Sequence, residues 1–138
     1  MIKLIIGNKG SGKTKRLIEL VNDCVNTSDG NVVCVEKEPK LTYDIPSKAR
    51  LLETETYLIN GHKAFYGFLA GICAGNYDVT DVLIDATFKI VGREYEKLPQ
   101  FFEMLSELSA ATEVTFYFTI SCDKEELPVE IFDYCEEI

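Results

Sequence analysis

The chain is predicted to be a single α/β domain over residues 1–138, with four core strands in a mainly parallel sheet and helices on both faces, a three-layer α/β/α arrangement. Three observations carry this reading. Short apolar runs at Ile2–Ile6, Val32–Val35 and Val82–Ile84 lack the polar alternation of a half-exposed strand, as suits strands covered on both faces. Between them lie segments whose apolar residues recur at helical spacing. Strands separated by helices form right-handed crossovers and hence parallel pairs.

Each element follows in order. Ile2–Ile6 is the first strand and ends at a glycine-rich turn. Leu17, Ile18, Val21, Cys24 and Val25 then form the inner stripe of a helix, stopped by Ser28, Asp29, Gly30 and Asn31. Val32–Val35 is the second strand, and Glu36 stands at its end. Leu41–Ile45, a turn at Pro46, Ser47 and Lys48, and Ala49–Glu53 are read as an edge hairpin. From Asn60 as N-cap, the residues His62, Phe65, Tyr66, Leu69, Ile72 and Cys73 mark a second helix. Its small residues Gly67, Ala70, Gly71, Ala74 and Gly75 suggest close packing on the sheet, with a subunit contact as the other reading. Val79–Ala86 is the third strand, followed by a charged, glycine-containing loop over Thr87–Lys97. Pro99 opens a helix carrying Phe101, Phe102, Leu105 and Leu108. Val114–Ser121 is the fourth strand, and the tail is expected to be a short helix from Pro128 or an antiparallel edge strand.

Composition narrows the function classes. With 46% hydrophobic and 27% charged residues, neither a disordered chain nor a membrane protein is expected. The apolar start lacks the features of a signal peptide, and five scattered cysteines without a C-x-x-C pair suggest free thiols in a reducing cytoplasm. The net charge is −9, which argues against a nucleic-acid-coating surface, but its distribution is uneven. Lys3, Lys9, Lys13, Lys15 and Arg16 face no acid within the first 16 residues, whereas seven acids and one lysine occupy Asp123–Ile138.

The basic segment contains Gly7-Asn8-Lys9-Gly10-Ser11-Gly12-Lys13-Thr14, an unbroken G-x-x-x-x-G-K-[ST] between a predicted strand and a predicted helix. Glycines let successive N–H groups turn inward toward phosphate oxygens, and the new helix places its positive end behind the same anion. Lys13 would reach the β- and γ-phosphates and the Thr14 hydroxyl would ligate Mg²⁺. Val82-Leu83-Ile84-Asp85 has the form of a Walker B strand, whose carboxylate arrives at the same end of a parallel sheet.

With both motifs present, the chain resembles the P-loop nucleoside triphosphatases, over most of its strand–helix alternation. It is most similar to the subgroup with an additional strand between the phosphate-loop and Walker B strands, which implies the order 1-4-3-2 for the four strands. In that subgroup a glutamate usually follows the Walker B aspartate and polarises the attacking water, but Ala86 stands here. Recombinase-type ATPases carry that glutamate at the end of the neighbouring strand. The resemblance therefore implies Glu36 as the residue that orients water, Glu38 as second candidate, and two solvated acids as the competing reading. Thr119, or else Ser121, resembles the polar residue that senses the γ-phosphate. The whole chain also resembles short bacterial ATP-binding proteins, some labelled as twitching-motility ATPases. Genuine motors of that type are far longer and carry histidine motifs, whereas His62 is the single histidine here and is expected to pack in the core.

Three functions are consistent with these residues: an ATPase or switch with slow, partner-stimulated hydrolysis whose cycle drives a protein partner or self-association, a nucleotide-binding module without turnover, and a small-molecule kinase. The three arginines, Arg16, Arg50 and Arg93, and the lack of a long lid weigh against the kinase. Arg93 is read as a surface residue paired with Glu94 or Glu96, or as an arginine finger. No N-K-x-D guanine signature occurs, so ATP with Mg²⁺ is the expected ligand.

Overall fold

Strand β1 (Ile2–Gly7) shows why the sheet is covered twice. Ile2 and Leu4 point into one apolar cluster and Ile5 into another, as the two-residue period of a strand requires. The computed structural model describes all residues, Met1–Ile138. Its sheet has six strands, all parallel: β1, β2 (Asn31–Glu36), β3 (Ala49–Glu53), β4 (Val79–Ile84), β5 (Thr115–Ser121) and β6 (Cys135–Glu137). Their order is β3-β2-β4-β5-β1-β6. The expected sheet of four strands, ordered 1-4-3-2, is thus too small. Its four strands keep their neighbours as β1-β5-β4-β2, but a further strand flanks each end.

Both added strands correct the sequence reading. Ala49–Glu53 is a strand, but the expected hairpin does not form, because residues 41–45 are a turn held by bonds from Asp44 and Ile45 N–H to the Leu41 carbonyl. Residues 37–48 instead cross over from β2 to the parallel β3 without a helix, anchored by the buried Leu41. In the tail, Cys135–Glu137 pairs with β1 in parallel register, not antiparallel, after 3₁₀ turns at Lys124–Glu126 and Val129–Asp133. The new strand does not pair with β5, its predecessor in sequence, but takes the free side of β1.

Helix α1 (Lys13–Thr27) packs Leu17, Val21 and Cys24 into the smaller cluster with Ile5, Cys34, Leu83 and Tyr117. Helices α2 (His62–Gly75), α3 (Thr87–Val91) and α4 (Leu98–Thr112) contribute to the larger cluster with Leu4, Val35, Phe116 and Phe118. The α2 N-cap is Gly61 rather than Asn60, and α3 is a short helix within the segment read as a loop. The glycines of α2 do not lie against the sheet. Gly67, Gly71 and Gly75 are exposed, and a Cβ added at any of them meets no atom within 4 Å. All five cysteines are free thiols, and no helix is long and apolar enough to cross a membrane.

Candidate functional site

Carboxyl ends of β1 and β4 lie on either side of β5 and bring the two sequence motifs together. The Thr14 hydroxyl, at the start of α1, donates to Asp85 just beyond β4, 3.2 Å from each carboxylate oxygen. Thr119 on the intervening β5 fixes that carboxylate. Its hydroxyl donates to Asp85 Oδ1 at 2.8 Å and accepts the Ala86 N–H at 2.7 Å. Thr119 is 1% exposed, so it acts on Asp85 from beneath. Ala86 itself adopts a left-handed conformation, φ 53°, an uncommon geometry for a residue with a side chain.

The turn from β1 to α1 forms a cradle of donors. Gly10 and Gly12 both have φ of 86°, and a Cβ on Gly7 would lie 2.5 Å from Ser11 Oγ, so all three glycines have a structural reason. Ser11 N–H bonds to the Asn8 carbonyl and Arg16 N–H to Gly12. The N–H groups of Gly12, Lys13 and Thr14 have no acceptor in the protein and stand at the positive end of α1. Lys13 folds back to donate to the Asn8 carbonyl at 3.0 Å, and burial pulls its pKa below the ordinary lysine value, opposed by the charge of Asp85. Asn8 is tied in turn to Asp123 Oδ1 at 2.6 Å.

These groups line a cleft of about 660 Å³ that also contains Lys9 and Lys15. Four further cations face it from outside the loop: Lys37 and Lys40 from the β2–β3 crossover, Lys89 from α3, and Arg93. Three acids, Glu36, Glu38 and Asp85, balance them only in part. Lys89 lies against Lys40, and that neighbouring ammonium lowers its pKa. The local positive charge therefore extends beyond the first 16 residues. Sequence reasoning missed Lys40 and Lys89 because only the crossover and α3, neither of them foreseen, carry them to the cleft.

Glu36 reaches the cleft but is 3% exposed, and both its oxygens are engaged. Oε1 accepts Lys40 N–H at 3.0 Å and Oε2 accepts Leu41 N–H at 3.3 Å. Burial pushes its carboxyl pKa up, the two amide bonds hold it back, and the charges of Glu53 and Asp85 add to the rise. Glu38 pairs with Lys40 at 3.4 Å. Arg93 does not pair with Glu94 or Glu96: its guanidinium lies 5.0 Å above the Phe88 ring and donates to the Tyr95 hydroxyl at 3.3 Å, while Glu94 binds Lys97.

No group of three or more His, Cys, Asp or Glu side chains forms a self-contained metal cage. The Thr14 hydroxyl and Asp85 carboxylate nevertheless supply hard oxygen donors that suit Mg²⁺, an ion normally completed by water and substrate phosphates rather than by protein alone. The open amides suit phosphate oxygens. No protein-family model matches the chain, and no curated protein matches it.

Proposed function

We propose that the protein binds ATP with Mg²⁺ through a P-loop and hydrolyses it slowly, with turnover stimulated by a protein partner or by self-association. The observation that carries this reading is the meeting of Thr14 and Asp85 at 3.2 Å beside the open amides of the loop. Helices feeding two apolar clusters, one on each face of the parallel sheet, support a three-layer α/β/α P-loop fold of the additional-strand type.

In this reading the amides of Gly12, Lys13 and Thr14 and the Lys13 ammonium hold the phosphates. Thr14 and Asp85 would hold the metal, which when bound neutralises charge on the β- and γ-phosphates. Thr119 keeps the Asp85 carboxylate turned toward Thr14. Lys40, Lys89 and Arg93 offset the remaining anionic charge from across the cleft. Water activation is the weak element: Ala86 offers no base, and Glu36 is committed to two backbone amides. Slow turnover follows, and release of Glu36 from Lys40 and Leu41 is the step that a partner would promote.

The same engagement of Glu36 favours a second reading, a nucleotide-binding module without turnover. Calorimetry and phosphate release with Mg²⁺ and ATP, GTP or ADP separate the two. Wild-type protein is expected to bind ATP and release phosphate slowly, and Lys13→Ala to lose at least about tenfold in affinity. Binding without any phosphate release supports the module, release only with a small acceptor supports a kinase, and equal binding by Lys13→Ala overturns the loop assignment.

A further inference from the structure

Seven basic side chains line the phosphate cleft, and of these only Lys40 has a carboxylate within 4 Å, from Glu38. Lys9, Lys13, Lys15, Lys37, Lys89 and Arg93 enter none of the four ion pairs in the protein, although acids outnumber bases along the chain by 23 to 14. With so many acids at hand, six unpaired cations on one cleft mark a surface kept for anions. We propose that the cleft holds two of them: the nucleotide at the phosphate loop, and a small-molecule phosphate monoester on the facing wall of Lys37, Lys40 and Lys89. Such a second ligand rests on the P-loop reading of the first.

Topology separates the two positions. The loop leaves β1, whereas Lys37 and Lys40 follow β2, and β5 and β4 lie between these strands. Three inter-strand spacings put the carboxyl ends of β1 and β2 about 14 Å apart, so phosphates gripped by the loop amides do not fill the far wall. Lys89 comes from α3, beyond β4, and lies against Lys40. That neighbouring ammonium lowers the Lys89 pKa, with the charge of Lys9 adding to the effect. An anion seated between them removes the repulsion. The acids of this wall do not supply it. Glu36 is turned to the Lys40 and Leu41 amides, and burial pushes its carboxyl pKa up, while Glu38 serves Lys40 alone.

The cations of this wall are all lysines, and that selects the ligand. An ammonium is a compact point charge with three rotatable donors, which suits a rounded group carrying several oxygens, whereas a planar carboxylate is matched by the arginine fork. Arg93 is turned elsewhere, with its guanidinium over the Phe88 ring and one N–H on the Tyr95 hydroxyl. A phosphate monoester brings a charge of about −1.5 to −2 at pH 7 and three acceptor oxygens, one for each ammonium. A diester brings less of both. Extended nucleic acid would need a basic track running on past the cleft, and outside the cleft acids far outnumber bases.

The test is calorimetry on the full-length protein saturated with Mg²⁺ and ADP, titrated with phenyl phosphate, diphenyl phosphate, benzoate and an oligonucleotide without a terminal phosphate. Phenyl phosphate is expected to bind saturably without displacing ADP, and diphenyl phosphate and benzoate to bind at least about tenfold more weakly. Lys40→Gln combined with Lys89→Gln, both at exposed positions, should weaken phenyl phosphate by at least about tenfold, and by more than it weakens ADP. Lys48→Gln combined with Lys63→Gln removes the same charge outside the cleft and should leave phenyl phosphate binding unchanged. Failure of ADP to bind the wild type overturns the P-loop reading and the second ligand with it. With ADP bound, the second ligand alone is overturned by any of the following: no saturable binding of phenyl phosphate, displacement of ADP, equal binding of diphenyl phosphate or benzoate, tighter binding of the oligonucleotide, or full binding by the Lys40 and Lys89 double variant.

Discussion

Thr119 has no charge and little exposure, yet it sets the geometry of the most polar group in the cleft. Replacing it with valine leaves the Ala86 N–H without its acceptor and frees Asp85 to turn, at a cost of about 1–3 kcal/mol in stability. Thr119→Val is expected to lose the Mg²⁺-dependent part of nucleotide affinity while keeping the Mg²⁺-independent part, which calorimetry with and without EDTA reads directly. The cysteines illustrate burial acting on chemistry rather than on binding. Desolvation pushes Cys34 and Cys135 up to about 12 and Cys24 and Cys122 up to about 11. Reagents that attack thiolates should therefore label Cys73, the one cysteine that is not fully buried, before the other four at pH 7.5, and all five only after denaturation. Sequence alone brought Lys13, Thr14 and Asp85 forward as candidates because motif spacing marks them, and the structure brings Thr14 and Asp85 together. It assigned Glu36 by position at a strand end, and a position does not reveal that two backbone amides already occupy both oxygens.

The same thiols have a consequence for pH. Below about pH 9 they are protonated in both folded and unfolded chains and cost nothing. As pH rises beyond 9 the unfolded chain ionises first, so stability should fall progressively toward pH 11–12, a trend that denaturant titrations at stepped pH would show. At the level of elements, α2 is the least economical. Gly67 and Gly71 sit mid-helix on an exposed face with open space beyond, where glycine is unfavourable by about 0.5–1 kcal/mol relative to alanine. Gly67→Ala and Gly71→Ala should each raise the denaturation midpoint by a corresponding amount, whereas Gly30→Ala should lower it, because a Cβ there runs into the Asp78 carbonyl. The small residues were legible as a pattern, but their direction was not. Helical spacing places residues on a common face without saying what that face meets, and the apolar stripe of Phe65 and Leu69 already fills the larger apolar cluster, with Phe65 stacked on Phe101 of α4. The crossover over residues 37–48 and the short α3 were illegible for a related reason. Both are fixed by contacts with distant strands, through Leu41 and Phe88, and carry no periodicity of their own.

On the scale of the whole molecule, the acidic tail proves to be structural. Glu137 pairs with Lys124 at 2.9 Å, Arg16 donates to the Ile138 carbonyl at 2.6 Å, and Ile138 N–H bonds to Leu4. Removing residues 135–138 uncovers the hydrogen-bonding edge of β1, an exposed apolar strand edge of the kind that drives association. The shortened protein is expected to lose stability and to self-associate, which light scattering coupled to size-exclusion chromatography would detect. The β1 strand also has a history written into its neighbours. It is the first strand in the chain, and both of its partners, β5 and β6, come last, pairing Ile2 with Phe116 and with Cys135. Such distant pairings are slow to close. A nascent chain shorter than about residue 115 offers β1 no partner at all, so the glycine-rich loop, hung between β1 and α1, takes shape only after β5 has been made. Thr14 and Asp85 therefore meet only once β5 is laid between the strands that carry them.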